Sequence, residues 1–151
     1  MHIEQQTQAI RIVGLELRTT NADAQQTIPP HWAHVMQGQA LSRIAGKTSD
    51  DVYAVYTHFE HAGLSNQGLY SMIVGAPVAA DAPVPEGMVQ AVIPAGWRAV
   101  FACAQGRPDL VGQSWTEVWA RDDLHKAFVA DAERYRADGT IELTIGLTHV
   151  P

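Results

Sequence analysis

Hydrophobic and polar positions along this chain repeat with two periods. Near the C-terminal end Ile141, Leu143, Ile145 and Leu147 alternate with Glu142, Thr144, Gly146 and Thr148. That period of two belongs to a strand with one covered face. Residues 9–18 set Ile10 and Ile12 against Val13, Leu15 and Leu17, which predicts a strand partly covered on both faces. Residues 21–28 are polar and read as a loop. Pro29 and Pro30 suit the first turn of a helix, where a missing N–H costs nothing. Ile28, Trp32, Val35, Met36, Ala40 and Ile44 then keep helical spacing; Gly38 weakens that helix and Gly46 ends it. Val111, Trp115, Val118, Trp119 and Asp122 mark a second helix with its large apolar groups on one face.

Between the helices the pattern is of strands. Val52, Tyr53, Val55, Tyr56 and Phe59 fit a pleated, half-buried surface, closed by Glu60. Gly63, Ser65, Asn66 and Gly68 supply a loop. Tyr70 to Val74 return as a strand that Gly75 and Pro77 terminate. AADAPVPEG (79–87) is a connection, Met88–Ile93 a strand, and Trp97–Cys103 another. Residues 123–136 suggest a short helix around Ala127–Val129 and an edge strand around Glu133–Arg136. Asp138-Gly139 is a hairpin turn. The order is strand, helix, two strands, given twice, over about 1–79 and 86–151. We therefore expect one α+β domain built of two like halves, with an antiparallel sheet and two helices.

Composition narrows the class. The chain has 151 residues, 46% of them hydrophobic and 17% charged, enough for a real core. No apolar run approaches a membrane span, and no signal peptide is recognisable, so a cytoplasmic location is expected. A lone Cys103 excludes an internal disulfide. The net charge of −6 and scattered basic residues leave no footprint for nucleic acid. The seven histidines show no metal-ligand spacing, and there is no P-loop, G-x-G-x-x-G or G-x-S-x-G. No metal and no cofactor are expected.

Tyr53, Tyr56 and Glu60, then Gly68 to Gly75, then Ile93 to Gly96 with Val100 and Phe101, resemble a pattern seen in GyrI-like effector-binding domains. These occur fused to AraC-type regulators and alone in integron cassettes. The resemblance extends to the Trp115/Trp119 helix and the IELTIGL strand. Ala62, Trp97 and Arg98 depart from it. It implies a cleft between the halves, a strand glutamate facing the ligand, and transcription regulation through a separate DNA-binding chain.

Aromatic walls beside a carboxylate suit an organic cation. The first candidate is Glu142, whose strand face also carries the small Thr144 and Gly146. Glu60 shares parity with Tyr56. Glu133 matches an acidic position before Tyr135 in the resembled family, yet its neighbours Arg134 and Arg136 favour pairing with surface charges over a direct ligand role. Tyr56 and Tyr70, with Trp97 at a strand start and Trp32 and Trp115 on the helices, complete the ligand-binding set; a core role is the default for the helical tryptophans. The leading expectation is a binding protein for amphipathic organic cations, a sensor or a sequestering protein. A hydrolase of reactive electrophiles using a cleft glutamate, and an inhibitor docking on a larger enzyme, are the alternatives. No second catalytic group stands at fixed spacing, which favours binding over catalysis. A homodimer is left open.

Overall fold

The period-two segments pair into one antiparallel sheet. The computed structural model describes all 151 residues. Its strands are β1 (His2–Gln6), β2 (Ile10–Thr19), β3 (Val52–Thr57), β4 (Tyr70–Val78), β5 (Val89–Ile93), β6 (Gly96–Ala102), β7 (Ala130–Tyr135) and β8 (Ile141–Gly146). The helices are α1 (Ala24–Gln37) and α2 (Val111–Trp119). The strand order is β1-β6-β8-β7-β3-β4-β2-β5. This is the expected α+β fold with antiparallel sheet and two helices. In β2-α1-β3-β4 the last strand lies between the other two, and β6-α2-β7-β8 repeats that order. The halves join through the β3–β7 ladder, from Val52↔Tyr135 to Thr57↔Ala130. Each half also lends a strand to the other: β1 pairs with β6 and β5 with β2.

Strand alternation divides the core in two directions. Val13, Ala54, Met72 and Val74 face α1, while Ala99, Leu143 and Ile145 face α2. Ile12, Tyr53, Val55, Ile73 and Ala132 face the other way and meet Ala91 and Ile93 of β5. The sheet is curled over that second face. Only residues 7–9 separate β1 from β2, near opposite ends of the strand order, so the two ends come within roughly 14 Å of chain. The Gln6 side chain closes this corner by donating to the carbonyls of Ile93 and Pro94, both at 3.1 Å. No helix is long and apolar enough to cross a membrane.

Several local expectations change. Helix α1 starts at Ala24, so Pro29 and Pro30 lie inside it. Thr20 Oγ1 accepts from the Asp23 N–H at 3.2 Å ahead of the first turn, and Ile28 then falls on the stripe of Trp32 and Val35. The prolines give up the in-helix bonds to the carbonyls of residues 25 and 26. The helix stops at Gln37 because Gln39 is left-handed (φ 52°), and a 3-10 turn follows at Ala40–Arg43. Residues 127–129 form no helix; Phe128 is at φ 51° and Lys126 bridges Leu147. β7 is a central strand rather than an edge. β1, too polar to read from HIEQQ, is held by its ladder to β6.

Gly75 does not end β4. It sits opposite Gly14 of β2, and the strand runs on through Pro77 to Val78. A Cβ at Gly75 would lie 2.0 Å from the Val13 carbonyl oxygen, and one at Gly14 2.1 Å from that of Val74. The two backbones are too close for any side chain between them. Gly75→Ala is expected to destabilise the fold by roughly 2–3 kcal/mol, within the overpacking range. Gly112→Ala in α2, where a Cβ meets nothing within 4 Å, is expected to gain up to about 1 kcal/mol. Denaturant melts of the two variants check this; equal stabilities would contradict it.

Candidate functional site

Two helices standing on one sheet leave a gap where the halves meet. Here the gap is a cavity of about 690 Å³, within the size range of small-molecule sites. Helix α1 provides one wall with Ile28, Pro29, Trp32 and Met36. Helix α2 provides the other with Val111, Trp115 and Trp119. The floor is the β3–β7 seam with its neighbour β4: Val52, Tyr56, Tyr70, Asp131, Glu133 and Tyr135. Asn21, Gln25 and Asn66 add polar groups. Phe59 joins the lining because His58 is left-handed (φ 50°), which breaks the strand alternation after Thr57.

The rings form a connected set. Trp32 meets Tyr135 edge-on with centroids 5.2 Å apart, and Tyr56 meets Trp115 edge-on at 5.3 Å. Tyr70 lies 5.8 Å from Tyr56 and 6.0 Å from Phe59. Trp119 stacks on Trp115 at 5.9 Å and is 43% exposed, so the wall opens to solvent there. Such contacts fix the ring faces and edges before any ligand arrives.

Glu133 is the charged centre of this floor. It is 3% exposed. Its Oε2 accepts from the Tyr56 hydroxyl at 2.5 Å and from the Trp115 indole N–H at 2.8 Å, and its Oε1 accepts from the Tyr135 hydroxyl at 2.5 Å. No lysine, arginine or histidine forms an ion pair with it. Burial pushes its carboxyl pKa up, against the three hydrogen bonds that pull it down. The phenols respond in kind. Burial, then the Glu133 charge, raises Tyr56 and Tyr135 and lifts Tyr70 to about 12. Asp131, two residues along the same face, is 7% exposed and pushed up to about 6 by burial; the Gly146 N–H and the Arg98 and Lys126 charges oppose the rise.

Of the residues expected from sequence, Tyr56, Tyr70, Trp32 and Trp115 come together in the cavity, and Glu142, Glu60 and Trp97 do not line it. Ile141, Leu143 and Ile145 take the α2 face, so Glu142 points to the opposite side of the sheet. There it pairs with Arg136 at 2.7 Å. Glu60 lies in the turn after β3, where its Oε1 accepts from the Leu69 N–H at 3.1 Å. Trp97 is exposed beside a separate small hollow of about 110 Å³. The sequence reading placed Glu133 on the surface because of Arg134 and Arg136. Those cations instead reach the far face, where Arg134 pairs with Asp51 at 2.7 Å. The alternation in ADAERY carried the missed signal, for it sets Asp131, Glu133 and Tyr135 on one side.

Comparison with known proteins bears on this site. The model of a family described as integron-associated effector binding protein matches residues 3–147. An integron cassette protein from the mobile metagenome of Vibrio cholerae is 25% identical, with a TM-score of 0.73, over 97% of this chain and 94% of its own. A bacterial transcription regulation protein from Staphylococcus aureus has the same fold at 15% identity and a TM-score of 0.74, over 98% and 97%. So does SAV2435, solved with tetraphenylphosphonium, at 15% identity and a TM-score of 0.74, over 98% and 94%. No curated protein matches the chain.

The raised carboxyls have a consequence for stability. A group whose pKa is higher in the folded state holds its proton more tightly there, so its contribution is largest at low pH and fades as pH rises. For Asp131 the window runs from its ordinary 3.8 to about 6. Across it, wild type is expected to lose on the order of 2 kcal/mol relative to Asp131→Asn, which has no proton to release. Parallel urea melts from pH 3.5 to 7 measure this. A constant difference between the two proteins would contradict the burial of that carboxyl.

Proposed function

The chain belongs to the integron-associated effector binding protein family, and from that premise we propose that it captures amphipathic aromatic cations in the cavity between α1 and α2. The single observation that carries this reading is Glu133, a buried carboxylate without a counter-charge at the floor of a cage of aromatic rings. An ionised carboxylate held away from water is costly unless paired. A ligand cation removes that cost, and it gains the attraction of the ring faces as well. Neutral ligands gain only the apolar contact, and anions meet repulsion in a low dielectric. Twelve of the twenty lining residues are hydrophobic, which favours a cation whose charge is wrapped in apolar groups.

Capture without chemistry suits a sensor or a sequestering protein. A sensor would pass its state to a separate DNA-binding chain, in keeping with the transcription-regulation likeness. The charge-recognition role that the sequence reading gave to Glu142 passes to Glu133 in this proposal. The tyrosine hydroxyls and the Trp115 N–H already aimed at Glu133 hold it in place for the cation, so little reorganisation accompanies binding.

Tetraphenylphosphonium and its isosteric anion tetraphenylborate make the direct comparison. Calorimetry is expected to show binding of the cation only. Glu133→Gln keeps the shape of the side chain and is expected to weaken the cation by roughly tenfold to a hundredfold, the scale of hydrogen bonds to charged groups. Glu142→Gln, on the far face, is expected to leave it unchanged. Equal binding of the anion sinks the proposal; loss of binding in the Glu142 variant alone returns the role to that residue.

A further inference from the structure

The cavity floor carries a second carboxylate that the capture of one cation does not use. Asp131 and Glu133 stand at positions i and i+2 of β7, on the same face, and both line the cavity. The rise of a strand sets them about 6.7 Å apart. Their surroundings differ. Glu133 has both oxygens occupied, by two hydroxyls and an indole N–H. Asp131 is 93% withdrawn from solvent (7% exposed), and only its Oδ1 is engaged, by the Gly146 N–H at 2.9 Å. Its Oδ2 accepts no hydrogen bond, and it is not among atoms sealed without a partner, so it borders open space. The cations nearest in effect are Arg98 and Lys126, and neither forms an ion pair with it. Arg98 gives its donors to Thr144 and to the Ala130 carbonyl instead, and Lys126 bonds the carbonyls of Trp119 and Arg121.

A buried carboxyl with a free oxygen in an apolar cavity is costly to ionise unless a donor meets it. We propose that Asp131 is a second anchor, and that the preferred ligands are aromatic dications, or cations with a second strong donor, whose positive groups lie about 7 Å apart along β7. This rests on the cation-capture reading above and adds the charge number and spacing of the ligand. The first positive group lies against the Glu133 cage of Tyr56, Tyr135 and Trp115. The second meets Asp131 Oδ2, with Gly146 N–H holding the other oxygen.

The test compares two rigid rods of the same shape. One is the dication 1,1'-dimethyl-4,4'-bipyridinium, with two nitrogens about 7 Å apart, matching the strand spacing. The other is 1-methyl-4-(p-tolyl)pyridinium, in which carbon replaces the second nitrogen. Calorimetry on wild type and Asp131→Asn gives the dication-to-monocation affinity ratio in each, so the greater hydration of the dication cancels. The ratio is expected to fall roughly tenfold or more in the variant. Should Asp131→Asn not fold, wild type alone decides the matter at pH 6 in two buffers of different ionisation enthalpy. The dication is then expected to release more protons than the monocation, because the second charge drives the Asp131 carboxyl to its ionised form; Glu133 contributes to both, and Tyr56 and Tyr135 stay protonated. Both rods binding with an unchanged ratio, or with equal proton release, overturns the second anchor and leaves cation capture standing. Failure of both rods and of tetraphenylphosphonium to bind overturns both.

Discussion

The cavity is organised around a charge that the fold leaves unpaired, that of Glu133. The alternation of β7 sends Arg134 and Arg136 to one face of the sheet, where Asp51 and Glu142 neutralise them, and sends Glu133 to the other, where no cation is built in. The fold supplies the missing partner only in part, as two phenolic hydroxyls and one indole N–H. Three such bonds steady a carboxylate but do not match its hydration, and burial still wins in the direction of its pKa. The protein therefore holds a standing demand for positive charge inside a wall of rings.

The architecture explains why that demand sits where it does. Each half builds three strands and one helix and lends a fourth strand to the other, and the halves meet strand to strand at β3–β7. Helices on the same face of both halves cannot cover the seam itself, so the cavity opens over it. Residues of the seam strands become the floor, and the helix stripes nearest the seam become the walls. The curled back of the sheet, packed by β5 over β3 and β7, keeps the seam rigid from behind. The close Gly14–Gly75 crossing does the same for β2 and β4.

Much of this was legible in the sequence. The β8 alternation, the Asp138-Gly139 turn, the α2 stripe and the two-half order all follow from period and turn chemistry. Trp32 and Trp115 were singled out by residue type on helical faces, Tyr56 by its parity with Glu60 and Tyr70 by its place in the family pattern, and the four stand together in the cavity. What failed is what tertiary context decides. Alternation gives the parity of Glu142 but not which face the helices cover. Arg134 and Arg136 made ADAERYR look like a solvated edge, although their partners lie far off in sequence. HIEQQ is a strand only because β6 pairs with it. Pro29 and Pro30 read as a helix start, but the turn in which Thr20 holds the Asp23 N–H and the Ile28 stripe begin the helix earlier.

The most direct measurement is the titration of the Glu133 carboxyl itself, by carbon-13 NMR of glutamate-labelled protein with Glu133→Gln as the assignment. In the free protein its midpoint is expected above that of an ordinary glutamate, because burial outweighs the three hydrogen bonds. Saturation with tetraphenylphosphonium is expected to bring it down, as the cation stabilises the ionised form. An ordinary midpoint in the free protein, or one that bound cation leaves unmoved, would contradict the account of Glu133 as the unpaired charge that recognises the ligand.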